Sequence, residues 1–396
     1  MTALDVLRSH HADPHKAALA WKAKGGKVVG YLCDNVPDEL IAAAGFFPLR
    51  ISGDPDADGQ AVRQYVDTLY PPDVTTRPGF ATAMLNRLLD GTYGYLDFLI
   101  VPHNRNAIQA IYRSLRDARK AHPELPACEM HYLDKAWSSS FISETYNRDQ
   151  VVKLKAKLEV WAGAAITDDA LHAAIAVGNE NKALLAKIAA LRAATPPRLS
   201  GVDALQIIGA SMLMAKADHN ALLRDFLASA DSLPERAGPR VFLGGSPIDH
   251  TRICQAIEAT GATVVAEDHC WGNRSFDLPV EGPASPILEL ASRFHRKPAC
   301  SITFPLSETV AGCARRAAAA AADAAIFYVM DEDWSQNWET PNEVRAIEAN
   351  GTPSLHLKQQ AYDGGDPSAL TAVVAEFLAA VQKRAPRRAP AEGATA

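Results

Sequence analysis

One succession of signals occurs twice in this chain and limits its fold more than any other feature. Residues 27–32, Lys-Val-Val-Gly-Tyr-Leu, form an apolar strand run that ends on Cys33. Pro37-Asp38-Glu39 then opens a helix over 37–44, Gly45 closes it, and residues 46–51 form a second strand run. Proline suits the first helical turn, acidic residues there complement the helix dipole, and glycine suits the left-handed position after the last turn. The plan returns with a strand at 240–243, a turn at Gly244-Gly245-Ser246-Pro247, a helix over Asp249–Thr260, Gly261, and a strand at Thr263–Glu267. A strand, a helix and a further strand joined this way form a parallel crossover unit.

The remaining patterning extends both units. Strands are predicted at Tyr95–Val101, at Glu129–Asp134, at 325–329 and at 353–357, with helices over Ala107–Arg119 and Pro367–Lys383. From Asp149 to about Leu223 the period becomes helical: Val151, Leu154, Leu158 and Trp161 share one face, and Thr167-Asp168-Asp169 starts the next helix. The Ala-rich stretch 314–325 reads as one helix. The expected fold is α/β, two Rossmann-like parallel-sheet domains of related plan with a helical block between them. The expected boundaries are 1–148 and 237–384 for the α/β domains and 149–236 for the block. The tail, 385–396, is disordered by composition.

Composition excludes several functions. At 396 residues the chain exceeds one ordinary core. A formal net charge of −6 offers no field for nucleic acid. No apolar run is long enough to span a bilayer, and the N-terminus lacks a signal-peptide apolar region, so a cytoplasmic location away from membranes is expected. The six cysteines, at 33, 128, 254, 270, 300 and 313, show no C-x-x-C pair. G-x-G-x-x-G after the first strand, G-x-x-x-x-G-K-[ST], H-E-x-x-H and G-x-S-x-G are all missing, which argues against nicotinamide, ATP-hydrolysing, zinc-protease and serine-hydrolase sites.

Candidate site residues remain. Cys33 stands at a strand's carboxyl end beside a helix N-terminus, where α/β sheets build sites; the other reading is a small buried thiol. Gly244, Gly245 and Ser246 either present amides to a phosphate or make a tight turn. Asp331-Glu332-Asp333 is a solvated loop or a hard-metal site, and His103-Asn104-Arg105 is a polar strand end. Trp334 and Trp338 either wall a pocket or pack in a core or interface. No catalytic residue can be assigned.

The run Gly30-Tyr31, Cys33, Val36-Pro37, Glu39-Leu40-Ile41, Ala43-Ala44-Gly45, Pro48 and Arg50 resembles the 2-hydroxyacyl-CoA dehydratase and benzoyl-CoA reductase subunit family. The likeness continues through Trp21–Gly25, Leu158–Gly163, Ile166–Leu171, Asn179–Asn181, Arg240–Pro247, Glu267–Arg274 and Gly351–Pro353. The resemblance implies a heteromeric enzyme, a CoA-thioester dehydratase (a lyase) or an aryl-CoA reductase. Its related subunits each hold a [4Fe–4S] cluster on three cysteines, and an ATP-dependent iron–sulfur activator delivers single electrons to an acyl-CoA. It also implies Cys33 as the first cluster ligand and a CoA phosphate as the anion that Gly244–Ser246 would meet.

This sequence departs from that pattern at two places. The second ligand is expected after the strand ending at Val101-Pro102, and Arg105 stands there; the third is expected after the strand ending at Met330, and Asp331-Glu332-Asp333 follows instead. A guanidinium cannot ligate iron, and carboxylates are harder ligands than such a cluster prefers. Cys270 follows a strand of the second half and would be placed to face Cys33 across a cleft. The family reading therefore comes in two forms. In one this chain has its own cluster; in the other a cysteine-complete partner handles the electrons while this chain shapes the acyl-CoA pocket. A non-enzymatic binding or scaffold protein of the same fold is the third reading.

Overall fold

The computed structural model describes residues 1–70, 77–276, 278–282, 284–297 and 300–384; the tail expected to be disordered lies outside them. Among the described residues eight strands form two separate four-stranded sheets, all parallel. The first sheet holds β1 (Val28–Tyr31), β2 (Phe47–Arg50), β3 (Phe98–Pro102) and β4 (Glu129–Leu133) in the order β2-β1-β3-β4. The second holds β5 (Arg240–Gly245), β6 (Thr263–Glu267), β7 (Ala324–Met330) and β8 (Ser354–Gln360) in the order β6-β5-β7-β8. The two orders are the same, as the repeated sequence plan predicts. β1, β5 and β7 are buried along their whole length, which is why β1 and β7 read as unbroken apolar runs.

In each sheet the chain runs first to one side and then to the other, so a switch point lies between β1 and β3 and another between β5 and β7. Crevices at such points, beyond the carboxyl ends of the strands, are where open sheets place ligands. The left-handed glycines expected after two helices are present, Gly45 at φ 82° and Gly261 at φ 87°.

Helix Asp168–Ala193 runs between the two halves and is pinned to both. Near its middle Lys182 Nζ donates to Glu39 Oε1 at 2.7 Å, and near its end Arg192 pairs with Glu267, both side chains fully buried. The largest apolar core contains Val28 and Leu99 of the first sheet together with Val241 and Ile326 of the second. Among the described residues no helix is long and apolar enough to cross a membrane.

Two element expectations are corrected. The first long helix of the helical block starts at Phe141, eight residues before Asp149, because Ser140 caps it and accepts the Ser143 amide. The Ala-rich stretch is not one helix: helix Leu306–Ala319 ends inside it, Ala321 turns the chain at φ 47°, and β7 begins at Ala324, carried by the β-branched and aromatic run Ile326–Val329. Helices Pro286–Arg296 and Trp334–Ala349, not anticipated, close the second half.

Candidate functional site

The switch points of both sheets are lined with polar groups. Cys33, Asp34 and Asn35 follow β1, Asn104 and Arg105 follow β3, and Ser246 and Asp333 follow β5 and β7. Backbone in the left-handed region gathers here, with φ 57° at Cys33 and 59° at Glu332. A side-chain-bearing residue held this way costs about 1–3 kcal/mol and persists only where its surroundings impose it. Asp331 is exposed, whereas Asp333, two residues on, is buried.

The two crevices face each other and are joined. Arg105 Nη1 lies 2.7 Å from Asp333 Oδ2, with the two side chains 5% and 3% exposed. Arg105 Nη2 donates to Gln336 Oε1 at 3.2 Å, and Ser246 Oγ donates to Asp333 Oδ2 at 2.7 Å. Burial opposes the charge on Arg105, but Asp333 together with Cys300 and Cys270 outweighs it and raises the guanidinium above its ordinary range.

Gly244, Gly245 and Ser246 lie inside this junction. A Cβ on Gly244 would come within 2.7 Å of the Phe327 ring, and one on Gly245 (φ 109°) within 2.3 Å of the Tyr328 carbonyl oxygen. The glycines let β5 close on β7, and Ser246 commits its hydroxyl to a carboxylate. An anion here would meet Asp333, and the next helix, Arg252–Glu258, starts six residues after Ser246. The structure places these three residues where β5 packs on β7, with the Ser246 hydroxyl engaged by Asp333.

Three thiols border the same cleft. Cys270 Sγ accepts from Arg50 Nη2 at 2.9 Å, and Arg50, at the end of β2, also stacks on Trp271 with its guanidinium 4.1 Å from the ring centre. Cys300 makes a long contact, 3.9 Å, to Asn104 Oδ1, and Asn104 Nδ2 donates to Asn35 Oδ1 at 2.9 Å. Burial, then Cys270, pushes the Cys33 thiol well above the usual range, and burial raises Cys270 against the pull of Arg50. Arg105 and Arg274 each lie within electrostatic reach of both Cys270 and Cys300.

Behind them lies a buried acid network. Asp268 is 2.8 Å from Arg316 and 3.2 Å from Arg274; burial opposes its ionisation, but the two arginines hold it below the carboxylate range. Burial, then Asp268, pushes Glu343 up to about 8, and burial brings Glu339 to about 7 against Arg105 and Arg274. Asp268, Cys313 and Glu343 are the only metal-type trio among the described residues whose ligand atoms lie within 4.8 Å. Arginines and protons already balance its charge. His103 is turned away, with Nδ1 2.5 Å from Asp134 Oδ1 on the β4 side. Trp334 and Trp338 are 64% and 79% exposed, so neither packs in the core.

Beside the cleft opens a cavity of about 720 Å³ whose charged lining is Lys135, Arg296, Lys297, Arg315 and Arg316, with Glu308 the one carboxylate. Lys297 Nζ also lies 3.1 Å from Asp34 Oδ2, and Arg316 reaches Asp268, so two of these cations join cavity to cleft. Lys135 Nζ donates to the Phe294 carbonyl at 2.6 Å and lies 4.3 Å from the Trp137 ring centre. Burial first, then Lys297 and Arg293, lowers its ammonium to about 7.

The family described as 2-hydroxyglutaryl-CoA dehydratase, D-component, matches residues 33–378. The chain belongs to that family. It is 28% identical to a subunit of the benzoyl-CoA reductase of Thauera aromatica, over 70% of this chain and 71% of that one. It is 23% identical to the beta subunit of the lactoyl-CoA dehydratase of Anaerotignum propionicum, over 90% and 92% of the two chains. With the beta subunit of (R)-2-hydroxyglutaryl-CoA dehydratase of Acidaminococcus fermentans it shares 24% identity over 95% and 98%.

The three-thiolate set that the resemblance implies does not fit this member of the family. Cys33 is in place, but Arg105 is locked to Asp333, and the 331–333 run offers carboxylates, the buried one of them engaged by Arg105 and Ser246. Sequence reasoning missed Arg50, Arg274, Lys135 and the cavity. Arg50 and Arg274 lie within the motifs that carry the resemblance, yet nothing local marks them as facing Cys270.

Proposed function

We propose that the chain is a subunit of an acyl-CoA dehydratase or reductase complex, and that its cationic cavity takes the phosphate-bearing part of the CoA thioester. The charge of that cavity carries the reading: five lysine and arginine side chains, two of them also paired with Asp34 and Asp268 of the cleft, and one carboxylate line about 720 Å³. Such a volume suits a cofactor-sized ligand, and arginine forks suit phosphate. Lys297 and Arg316 sit on the boundary with the cleft, so a ligand held by its phosphates has its acyl end directed toward the strand ends. In this reading a related, cysteine-complete subunit and an ATP-dependent iron–sulfur activator supply the electron, and this chain binds and orients.

Titrating the full chain with a CoA thioester and with the matching pantetheine thioester, which lacks the nucleotide phosphates, tests the proposal. The CoA thioester binds and the pantetheine thioester does not, and R315E or R296E weakens binding about tenfold, the loss of one charge-assisted contact. Equal binding of the two thioesters, or indifference to both reversals, would overturn the reading.

A further inference from the structure

We infer that this chain carries no iron–sulfur cluster of its own, and that the Arg105–Asp333 ion pair clasps the two sheets together where ligands after β3 and β7 would otherwise join them. Arg105 follows β3, the position expected of a thiolate, and it reaches across to the loop that follows β7. The pair is buried and supported from both sides, by Ser246 after β5 and by Gln336 one turn into helix Trp334–Ala349. Gln336 Nε2 in turn donates to Glu343 Oε2 at 3.1 Å, so the contact continues into the acid network.

The other thiols do not restore a ligand set. Arg50 contacts the Cys270 sulfur directly, and Arg105 and Arg274 lie within electrostatic reach of Cys270 and Cys300. Of the three thiols that border the cleft, Cys270 already accepts from a guanidinium, and the position after β3 holds Arg105 in place of a fourth. Electron transfer then belongs to other subunits, and this one contributes shape and charge.

The inference rests on family membership and not on the acyl-CoA reading, so iron content and thioester binding can fail separately. The full chain is purified without oxygen, incubated with ferrous iron, sulfide and reductant, and assayed for bound iron and acid-labile sulfide beside C33S. The wild-type chain is expected to retain no more of either than C33S. Iron and sulfide retained together by the wild type and lost in C33S, C270S or C300S would overturn the inference. The clasp is read from thermal midpoints of R105M, D333N and the double variant, with R105K as the conservative control. The double variant is expected to lose clearly less than the sum of the single losses, with faster amide exchange in both R105M and D333N at 102–106 and 328–333. Strict additivity with unchanged exchange contradicts the clasp, and R105K with the iron assay decides the matter if R105M does not fold.

Discussion

Lys135 is a buried ammonium that donates to a backbone carbonyl, and burial, Lys297 and Arg293 together bring it to about 7. A phosphate nearby favours its charged form, so binding takes up a proton. Affinity for a CoA thioester should therefore fall as pH rises through about 7, and K135M should flatten that dependence in titrations at several pH values. Glu343 shifts the other way, up to about 8. A carboxyl whose folded value is raised binds its proton more tightly in the native state. Its contribution is present at low pH and lost as pH climbs from the ordinary carboxylate value toward 8. Denaturant melts of E343Q should show a shallower loss of stability across that window than the wild type; parallel profiles would contradict the assignment. At this scale the place of Cys33 at a strand end was legible in the sequence. The meeting of Arg105 with Asp333 was not, because 228 residues separate them and each looks like an ordinary polar strand end.

At the level of elements, the carboxyl ends of β3 and β7 depend on each other. Removing one member of a buried pair leaves the other charge unsolvated, so R105M should cost about 3–5 kcal/mol in denaturant unfolding, and R105K less. Trp334 and Trp338 lie on one exposed face of helix Trp334–Ala349, and W338A should change the stability of the isolated chain by no more than about 0.5 kcal/mol. A larger loss would show that the indole packs in a way its exposure does not suggest. Element types were readable wherever periodicity and punctuation agreed, as at β1, β2 and β6. They were misread where one residue type served two elements, as at Ala314–Ala325, and where the start of a helix lay outside its apolar stripe, as at Phe141.

For the whole molecule, the repeated strand order creates two switch points, and a family of CoA-thioester enzyme subunits supplies the context for the crevice between them. Both sheets share one apolar core and one bridging helix, so the chain should unfold as a single cooperative transition by calorimetry. Two separated transitions would mean that Lys182–Glu39 and Arg192–Glu267 do not couple the halves. The repeat made this architecture legible. The cationic cavity was hidden because its walls come from segments with no common motif, the 135–139 turn and the helices Pro286–Arg296 and Leu306–Ala319. Arg105 and Asp333 are proposed to stand in place of cluster ligation in this subunit. Electron paramagnetic resonance of the full chain, after anaerobic treatment with iron and sulfide and reduction by dithionite, tests this most directly. A spectrum without a reduced-cluster signal is expected, and a signal that disappears in C33S would contradict the clasp's standing in for ligation.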